Sequence, residues 1–324
     1  MLRKRTLMLL TALLVLPRLV QAADPLPLAA EWLPKETVIS IELTDPKPLF
    51  DRLMDPAVLK AIEESPAYRQ QAEKQGMKEF LGGVGFLEAS LGTSWQEAVR
   101  KLAGKGATFA LWPDNKTAII IDGEDAELLK RLHEILVSIA KSEAEKAGNP
   151  GRVASAEYRG VTGWTFNSEE AHTILGTRFI LANNSKALKA VIDIREEKSG
   201  SNLASVASYQ AAKKAAGPVN AVAYVNLEVL KQVPKVEKAL KGGENPLASL
   251  LFSGVLDALR ESNWLAVAGK VEGSMLSFSA TTDGKPAAKM AAFARPDSPE
   301  KGILPNLDVP RRIAAASFYR DLHG

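Results

Sequence analysis

The chain has 324 residues, 46% of them hydrophobic, and its 41 lysines and arginines against 38 aspartates and glutamates give a net charge of +3. It contains no cysteine, which excludes disulfides, thiolate zinc sites, a cysteine nucleophile and a lipid-carrying N-terminal cysteine. A chain of this size and apolar content can bury one or two domain-sized cores.

Residues 1–22 have the pattern of a cleavable signal peptide. Met1–Arg5 is basic, and the uncharged apolar run Thr6–Leu16 is shorter than the roughly 20 residues that cross a bilayer. Val20–Ala22 places small residues where cleavage after Ala22 requires them. This agreement favours a signal peptide over a short membrane anchor or a buried helix. We therefore expect an exported bacterial protein, periplasmic or extracellular.

The excess of basic residues lies in this predicted signal peptide. Residues 1–22 hold four arginines or lysines and no acid, which leaves 37 basic and 38 acidic residues and a net charge of −1 beyond Ala22. A nearly neutral chain has no overall field that would attract nucleic acid or an anionic membrane. No later segment is apolar enough over about 20 residues to span a membrane.

The elements up to the first hairpin follow from local patterns. Residues 23–36, rich in Pro, Leu and Ala, are expected to be extended. Val38–Leu43 alternates apolar and polar residues, which predicts a half-buried strand. Asp and Ser before Pro predict short helices over Asp45–Gln75. A loop is expected at Gly82–Gly85, followed by a helix over Ser94–Leu102.

Turn residues mark the hairpins. Pro113–Asn115 separates the strands Ala107–Trp112 and Lys116–Ile121. Asp122–Asp125 begins the longest helix, whose apolar residues recur at helical spacing up to the breaker Gly148–Gly151. The stripe contains Leu128, Leu129, Leu132, Ile135, Leu136 and Ile139.

The remaining chain is predicted to contain further hairpins separated by helices. The elements, in order, are a hairpin at Val153–Phe166 turning at Arg159-Gly160, a strand pair at Thr173–Ala182, helices at Ser185–Glu196 and Ser205–Ala215, a strand at Val219–Val225, helices up to about Glu261, a hairpin at Trp264–Thr281, and a short helix at Ala287–Ala294.

Three stretches share one shape, an apolar strand that ends in Asp or Asn just before a helix: Val38–Asp45, Val219–Leu227 and Arg312–Leu322. They suggest a duplicated unit of strand, helices, hairpin and helix, although any strand-to-helix junction can resemble this pattern. We predict a first α+β unit over residues 37–216 and a second, shorter one over 217–295. Residues 296–324 then form a linker and the start of a third, and we expect the native chain to continue beyond Gly324.

The sequence supplies no catalytic, cofactor or metal residues that we can assign. Gly83–Gly85 lacks the third glycine of a dinucleotide loop. Ser138–Lys141 and Ser298–Lys301 match a Ser-x-x-Lys nucleophile, but chance predicts about two such spacings in this composition. The acids of Asp122–Asp125 suit the first turn of a helix better than a calcium loop.

Structural roles are also the favoured interpretation for the histidines and tryptophans. No two of His133, His172 and His323 lie within a helical turn, so a local metal pair is not expected, and a triad formed across the fold has no local support. Core packing is favoured over a ligand groove for the five tryptophans. These are Trp32, Trp95, Trp112, Trp164 and Trp264.

Several segments together resemble the exported bacterial proteins grouped as domain of unknown function 3352, over roughly residues 30–290. The segments are Leu33–Val38 leading into Asp45, the strand pair leading into Asp122-Gly123, Tyr158–Val161, Leu181–Ser185 and Leu203–Tyr209. The resemblance implies an envelope location and a duplicated α+β fold. It implies no activity and no site residues.

We expect an α+β fold built on antiparallel sheet, with helices mainly over one face, because the strands alternate apolar and polar residues. The favoured function is a non-enzymatic binding or assembly role in the envelope, with an unknown protein or small-molecule partner and no nucleic acid. The alternatives are a serine-type hydrolase completed by further C-terminal sequence and a carrier of apolar ligands.

Overall fold

A computed structural model describes residues 27–167, 169–197, 201–240, 256, 258–273 and 275–284. Ten strands form one sheet in the order β10-β9-β8-β1-β2-β3-β7-β6-β5-β4, and every neighbouring pair is antiparallel. The strands are β1 (Ile39–Leu43), β2 (Gly106–Trp112), β3 (Lys116–Asp122), β4 (Ala154–Tyr158), β5 (Val161–Thr165), β6 (Ala171–Leu175), β7 (Arg178–Ala182), β8 (Ala221–Asn226), β9 (Trp264–Glu272) and β10 (Met275–Thr282). This arrangement confirms the predicted α+β class.

The α-helices are α1 (Lys47–Leu53), α2 (Pro56–Glu64), α3 (Pro66–Ala72), α4 (Gln75–Leu91), α5 (Trp95–Ala103), α6 (Ala126–Lys146), α7 (Ser185–Glu197), α8 (Ala207–Ala216), α9 (Leu227–Leu230) and α10 (Pro234–Leu240). In the part of the chain that the structure describes, no helix has both the length and the apolar character needed to cross a bilayer.

The turn residues placed the hairpins correctly. Asp114 and Asn115 adopt positive φ between β2 and β3, and Arg159 and Gly160 do so between β4 and β5. Asn, Asp and Gly tolerate this backbone region at lower cost than other residues, which is why the prediction succeeded. Asp125 caps α6 by accepting a hydrogen bond from the backbone N–H of Leu128.

Two local predictions were wrong. Gly82–Gly85 lies inside the continuous helix α4 rather than in a loop. Helix-forming residues flank these glycines, and Leu91 at the end of α4 is buried in a small cluster with Ala98 and Leu128. Within residues 23–36, which were expected to be extended, Ala29–Trp32 forms a 3₁₀ helix that packs into the main core.

The apolar stripe of α6 also differs from the prediction. Leu128 and Leu129 are buried as expected, but Leu136 and Ile139 are exposed. Val137 is buried instead. The helix packs against two helices, α4 and α5, and it also contacts the sheet through His133. Its buried surface is therefore set by the two helices and the sheet together.

The two strands next to the β1–β8 pair are arranged in the same way on each side. On one side a hairpin, β2–β3, follows β1, and on the other a hairpin, β9–β10, follows β8. Strands from both predicted units therefore join one sheet. The duplication itself stays a prediction. Several predicted features lie outside the described residues: the signal peptide at 1–22, the helix at 287–294, the linker and third unit at 296–324, Ser298–Lys301 and His323.

The sheet has two different faces. The main core lies on the face covered by α7 and α8, which we call the α7–α8 face. Its buried strand residues include Ala110, Ile120, Ile180, Tyr224 and Ala266. The opposite face, which we call the second face, is contacted by α6. The expectation of helices mainly over one face therefore describes α7 and α8 but not α6.

Strand β1 is oriented in the opposite sense to the one that its apolar residues suggest. The alternation is present, but Ser40 and Glu42 are the buried residues, on the α7–α8 face. Ile41 points to the second face and is 48% exposed. Glu42 is tolerated inside because α8 supplies polar partners for its carboxylate, as described next.

Candidate functional site

A cavity of about 260 Å³ lies at one end of the sheet, next to the N-terminal segment. Charged side chains from three different strands meet in its wall, although their positions in the sequence are far apart. The residues that matter here are Glu42 on β1, Gly106 and Thr108 on β2, Asp122 on β3, Arg178 on β7 and the segment Pro27–Ala30.

Arg178 is the central charged residue of this cavity and is only 1% exposed. It is the cross-strand neighbour of Asp122, and the two side chains form a bidentate pair, with Nε donating to Oδ1 at 2.6 Å and Nη2 to Oδ2 at 3.0 Å. Its Nη2 also donates to the backbone carbonyl of Pro27 at 2.6 Å. The guanidinium lies 4.2 Å from the ring centroid of Trp32. These contacts hold the N-terminal segment against the sheet.

One donor of Arg178 is unused. Its Nη1 atom is buried and has no hydrogen-bond partner among the described residues. A buried donor without a partner costs about 1–3 kcal/mol relative to a satisfied one. An acceptor that reached Nη1 would remove this cost, and a negatively charged oxygen would be favoured most by the guanidinium charge.

Glu42 forms the opposite charged part of the wall and is already satisfied. Its Oε1 accepts hydrogen bonds from Ser40 at 2.9 Å and from Tyr209 at 2.8 Å, and its Oε2 accepts one from Lys213 at 2.8 Å. Burial, together with the nearby Glu42 carboxylate, raises the pKa of Tyr209, so its hydroxyl remains a proton donor. Tyr209 also packs edge-on against Tyr224.

Gly106 makes room between these groups. It lies on the strand between Glu42 and Asp122, and it has no side chain to fill the space. Its φ of +135° is a conformation that favours glycine, and a Cβ there would lie 2.7 Å from the carbonyl oxygen of Leu43. A side chain at this position would therefore force β1 and β2 apart beside the cavity.

The groups in the cavity wall can hold a ligand, but they are not arranged for nucleophilic catalysis. Both carboxylates are held by cations and hydroxyls, and Arg178 does not act as a base at neutral pH. Within the described residues, no serine hydroxyl is hydrogen bonded to a histidine, which a Ser–His nucleophile would need. Ser138 lies inside helix α6, where its neighbour Lys141 is placed over the ring of Trp164.

The tryptophans divide between core and surface. Trp32, Trp112 and Trp264 belong to the main core, as the packing interpretation predicted. Trp95 is 38% exposed at the start of α5. Trp164 is half-buried on the second face, beside two histidines.

The histidine pair is the feature that the sequence did not reveal. His133 on α6 and His172 on β6 are 39 residues apart, yet their Nε2 atoms lie 3.1 Å apart. The spacing of residues in the sequence can reveal neighbours on one helix turn. It cannot reveal a pair that forms between a helix and a strand, as this one does. The placement of α6 over β6 was not predictable from the local pattern.

No protein-family model and no curated protein matches the chain. Among solved structures, one described as "Structure of crystal form I of TP0453" aligns with a TM-score of 0.36 and 9% sequence identity. The alignment covers 82% of this chain and 81% of the other. At this TM-score the similarity supports no statement about function.

Proposed function

We propose that this chain is a non-enzymatic binding protein of the bacterial envelope that holds a small anionic ligand in the cavity beside Arg178. The observation that carries the proposal is the buried Nη1 atom of Arg178, a charged donor without a partner on a residue that lines a 260 Å³ cavity. The ligand group is a carboxylate or a phosphate, because both offer the anionic oxygens that a guanidinium favours.

The envelope location rests on the leader pattern of residues 1–22 and on the resemblance to the exported family of unknown function. Mass spectrometry of the protein purified from the producing bacterium tests it. We expect a mature N-terminus at Ala23, and a protein that retains Met1 or Leu2 would contradict export by cleavage.

Anion binding is tested by thermal unfolding of the full exported chain at constant ionic strength, with sodium chloride replaced stepwise by sodium phosphate or by sodium acetate. We expect a saturable rise in Tm with at least one of the two anions, since a ligand that binds only the folded state stabilises it. The two series distinguish a phosphate site from a carboxylate site. No saturable rise with either anion would contradict the proposal.

A matched pair of variants locates the effect. Thr108→Ile places a larger apolar side chain in the cavity wall and is expected to abolish the anion-dependent rise. Thr117→Ile makes the same change on β3, at a half-buried position that does not line the cavity, and should keep the rise. Equal responses from the two variants would show that the anion binds elsewhere.

A second candidate function, a carrier of apolar ligands, is favoured by the second face of the sheet. A row of paired residues crosses seven strands there, and it spans roughly 29 Å at about 4.8 Å per strand. The row is Ala280, Val267, Ala223, Ile41, Phe109, Ile119 and Leu181. Within this row Ile41 and Ile119 are exposed, as is Phe278 next to it.

The occupant that fits this uncharged row is a single acyl chain. Titration with palmitate, followed by tryptophan fluorescence, tests the candidate. Ile41→Glu should weaken binding at least tenfold, while Ile62→Glu, at a similarly exposed position on α2, should not. Equal affinities in both variants, or no binding by the unsubstituted chain, would exclude binding of an acyl chain to the second face.

A further inference from the structure

The two histidines that meet between α6 and β6 form a second polar site, separate from the cavity at Arg178. Their Nε2 atoms face each other at 3.1 Å. His172 is 3% exposed and His133 is half-buried. The rings of Trp164, Phe166 and Phe179 surround the pair, with centroid distances of 4.6 to 5.8 Å to one histidine or the other. Such packing restricts both imidazoles to their present orientations.

Glu170 orients the ring of His172. Its Oε2 lies 2.9 Å from Nδ1 of His172, and its Oε1 accepts the backbone N–H of Phe166. A carboxylate oxygen only accepts, so the Nδ1–H of His172 donates to it, and Nε2 of His172 is directed towards His133. A carboxylate on the far nitrogen of a histidine is the arrangement that orients metal-binding imidazoles and increases their basicity.

The separation of the two nitrogens suits a shared metal ion. With metal–nitrogen bonds of about 2.05 Å, two ligands are about 2.9 Å apart at a right angle and about 3.4 Å apart at a tetrahedral angle. The observed 3.1 Å lies between these values.

We propose that His133 and His172 bind a divalent transition-metal ion, Zn²⁺, Cu²⁺ or Ni²⁺, through their two Nε2 atoms. These ions favour neutral imidazole ligands. Over the described ranges, no three His, Cys, Asp or Glu side chains are grouped to hold a metal. Water or an external ligand, approaching on the side of the half-buried His133, therefore has to fill the remaining coordination positions. Binding requires that neither Nε2 atom carries a proton.

The alternative is a plain structural pair, in which one Nε2–H donates to the other Nε2 and no metal binds. Copper titration of the full chain, followed by electron paramagnetic resonance, distinguishes the two. We expect one Cu²⁺ per chain with hyperfine structure from two imidazole nitrogens. Absence of a two-nitrogen signal at stoichiometric copper would overturn the proposal.

Histidine variants assign the signal. His133→Gln and His172→Gln should each reduce copper affinity at least tenfold and remove the two-nitrogen signal, whereas His323→Gln should change affinity less than twofold. Glu170→Gln should weaken binding about tenfold, because the carboxylate orients His172. Because His172 is buried, circular dichroism must confirm that each variant is folded. If His172→Gln fails to fold, the result for His133→Gln, at a half-buried position, decides whether the site exists. An unchanged signal in folded His133→Gln would refute the site.

Discussion

The Tyr209 hydroxyl donates a 2.8 Å hydrogen bond to Oε1 of Glu42, a carboxylate that is buried in the middle of an apolar-looking strand. The bond joins α8 to β1 across 167 residues of sequence. It explains how β1 can bury its polar side and expose Ile41. The carboxylate also accepts from Ser40 and Lys213, and the network therefore has no buried acceptor left without a donor.

Tyr209→Phe is expected to destabilise the protein by about 1–3 kcal/mol, because it removes a donor to a buried charge while keeping the ring. Urea unfolding at pH 7 measures the change. Tyr68→Phe, on α3 and away from this network, should alter stability by less than about 0.5 kcal/mol. Similar losses in both variants would mean that the hydroxyl contributes little to holding Glu42.

Gly83→Ala is expected to stabilise the protein by about 0.5–1 kcal/mol. Gly83 lies in the interior of α4, and a Cβ there would have no atom within 4 Å, so the change gains helix propensity without a clash. Thermal unfolding provides the measurement.

The end of the same helix supplies the matched control. Gly92 has φ +69° at the C-cap of α4, where alanine is strained, and Gly92→Ala should therefore lower the stability by about 1 kcal/mol. Stabilisation by Gly92→Ala, or loss of stability in Gly83→Ala, would contradict the helical assignment of this glycine-rich segment.

Asp125→Ala should cost about 1 kcal/mol, because Oδ1 of Asp125 accepts the backbone N–H of Leu128 at the start of α6. The helix buries Leu128 and Leu129, so fraying its first turn exposes core. Asp55 caps α2 in the same way, but α2 buries no residue fully. Asp55→Ala should therefore cost less than about 0.5 kcal/mol in urea unfolding, and equal costs would show that capping acts only locally.

Local chemistry accounts for the parts of the fold that the sequence predicted. Asp114, Asn115 and Gly160 at the two turns tolerate positive φ, and the cap at Asp125 acts over three residues. The orientation of β1 was not predictable in this way. Its alternation is compatible with either face being buried, and the choice depends on Tyr209 and its distant helix.

The two candidate sites were missed for the same reason. Arg178 and Asp122 are 56 residues apart in sequence and meet only because β3 pairs with β7. His133 and His172 meet only because α6 covers β6. The charge on Arg178, at the start of an apolar strand after a Gly-Thr turn, was the one local signal, and nothing near it in sequence identified its partner.

Gly106→Ala tests the backbone on which the cavity depends. The residue has φ +135°, and an added Cβ would lie 2.7 Å from the Leu43 carbonyl, which is closer than real Cβ contacts allow. The strand pair β1–β2 must shift to relieve this contact, and we expect a loss of about 1–3 kcal/mol in urea unfolding. Gly163→Ala serves as the control, because its Cβ would meet the side chain of Leu188 at 3.4 Å without positive φ, and it should cost less than about 1 kcal/mol. If Gly106→Ala were no more destabilising than Gly163→Ala, the β1–β2 junction would have to be more adaptable than the close approach of Leu43 implies. In that case the space between Glu42 and Arg178 would not depend on a glycine at this position.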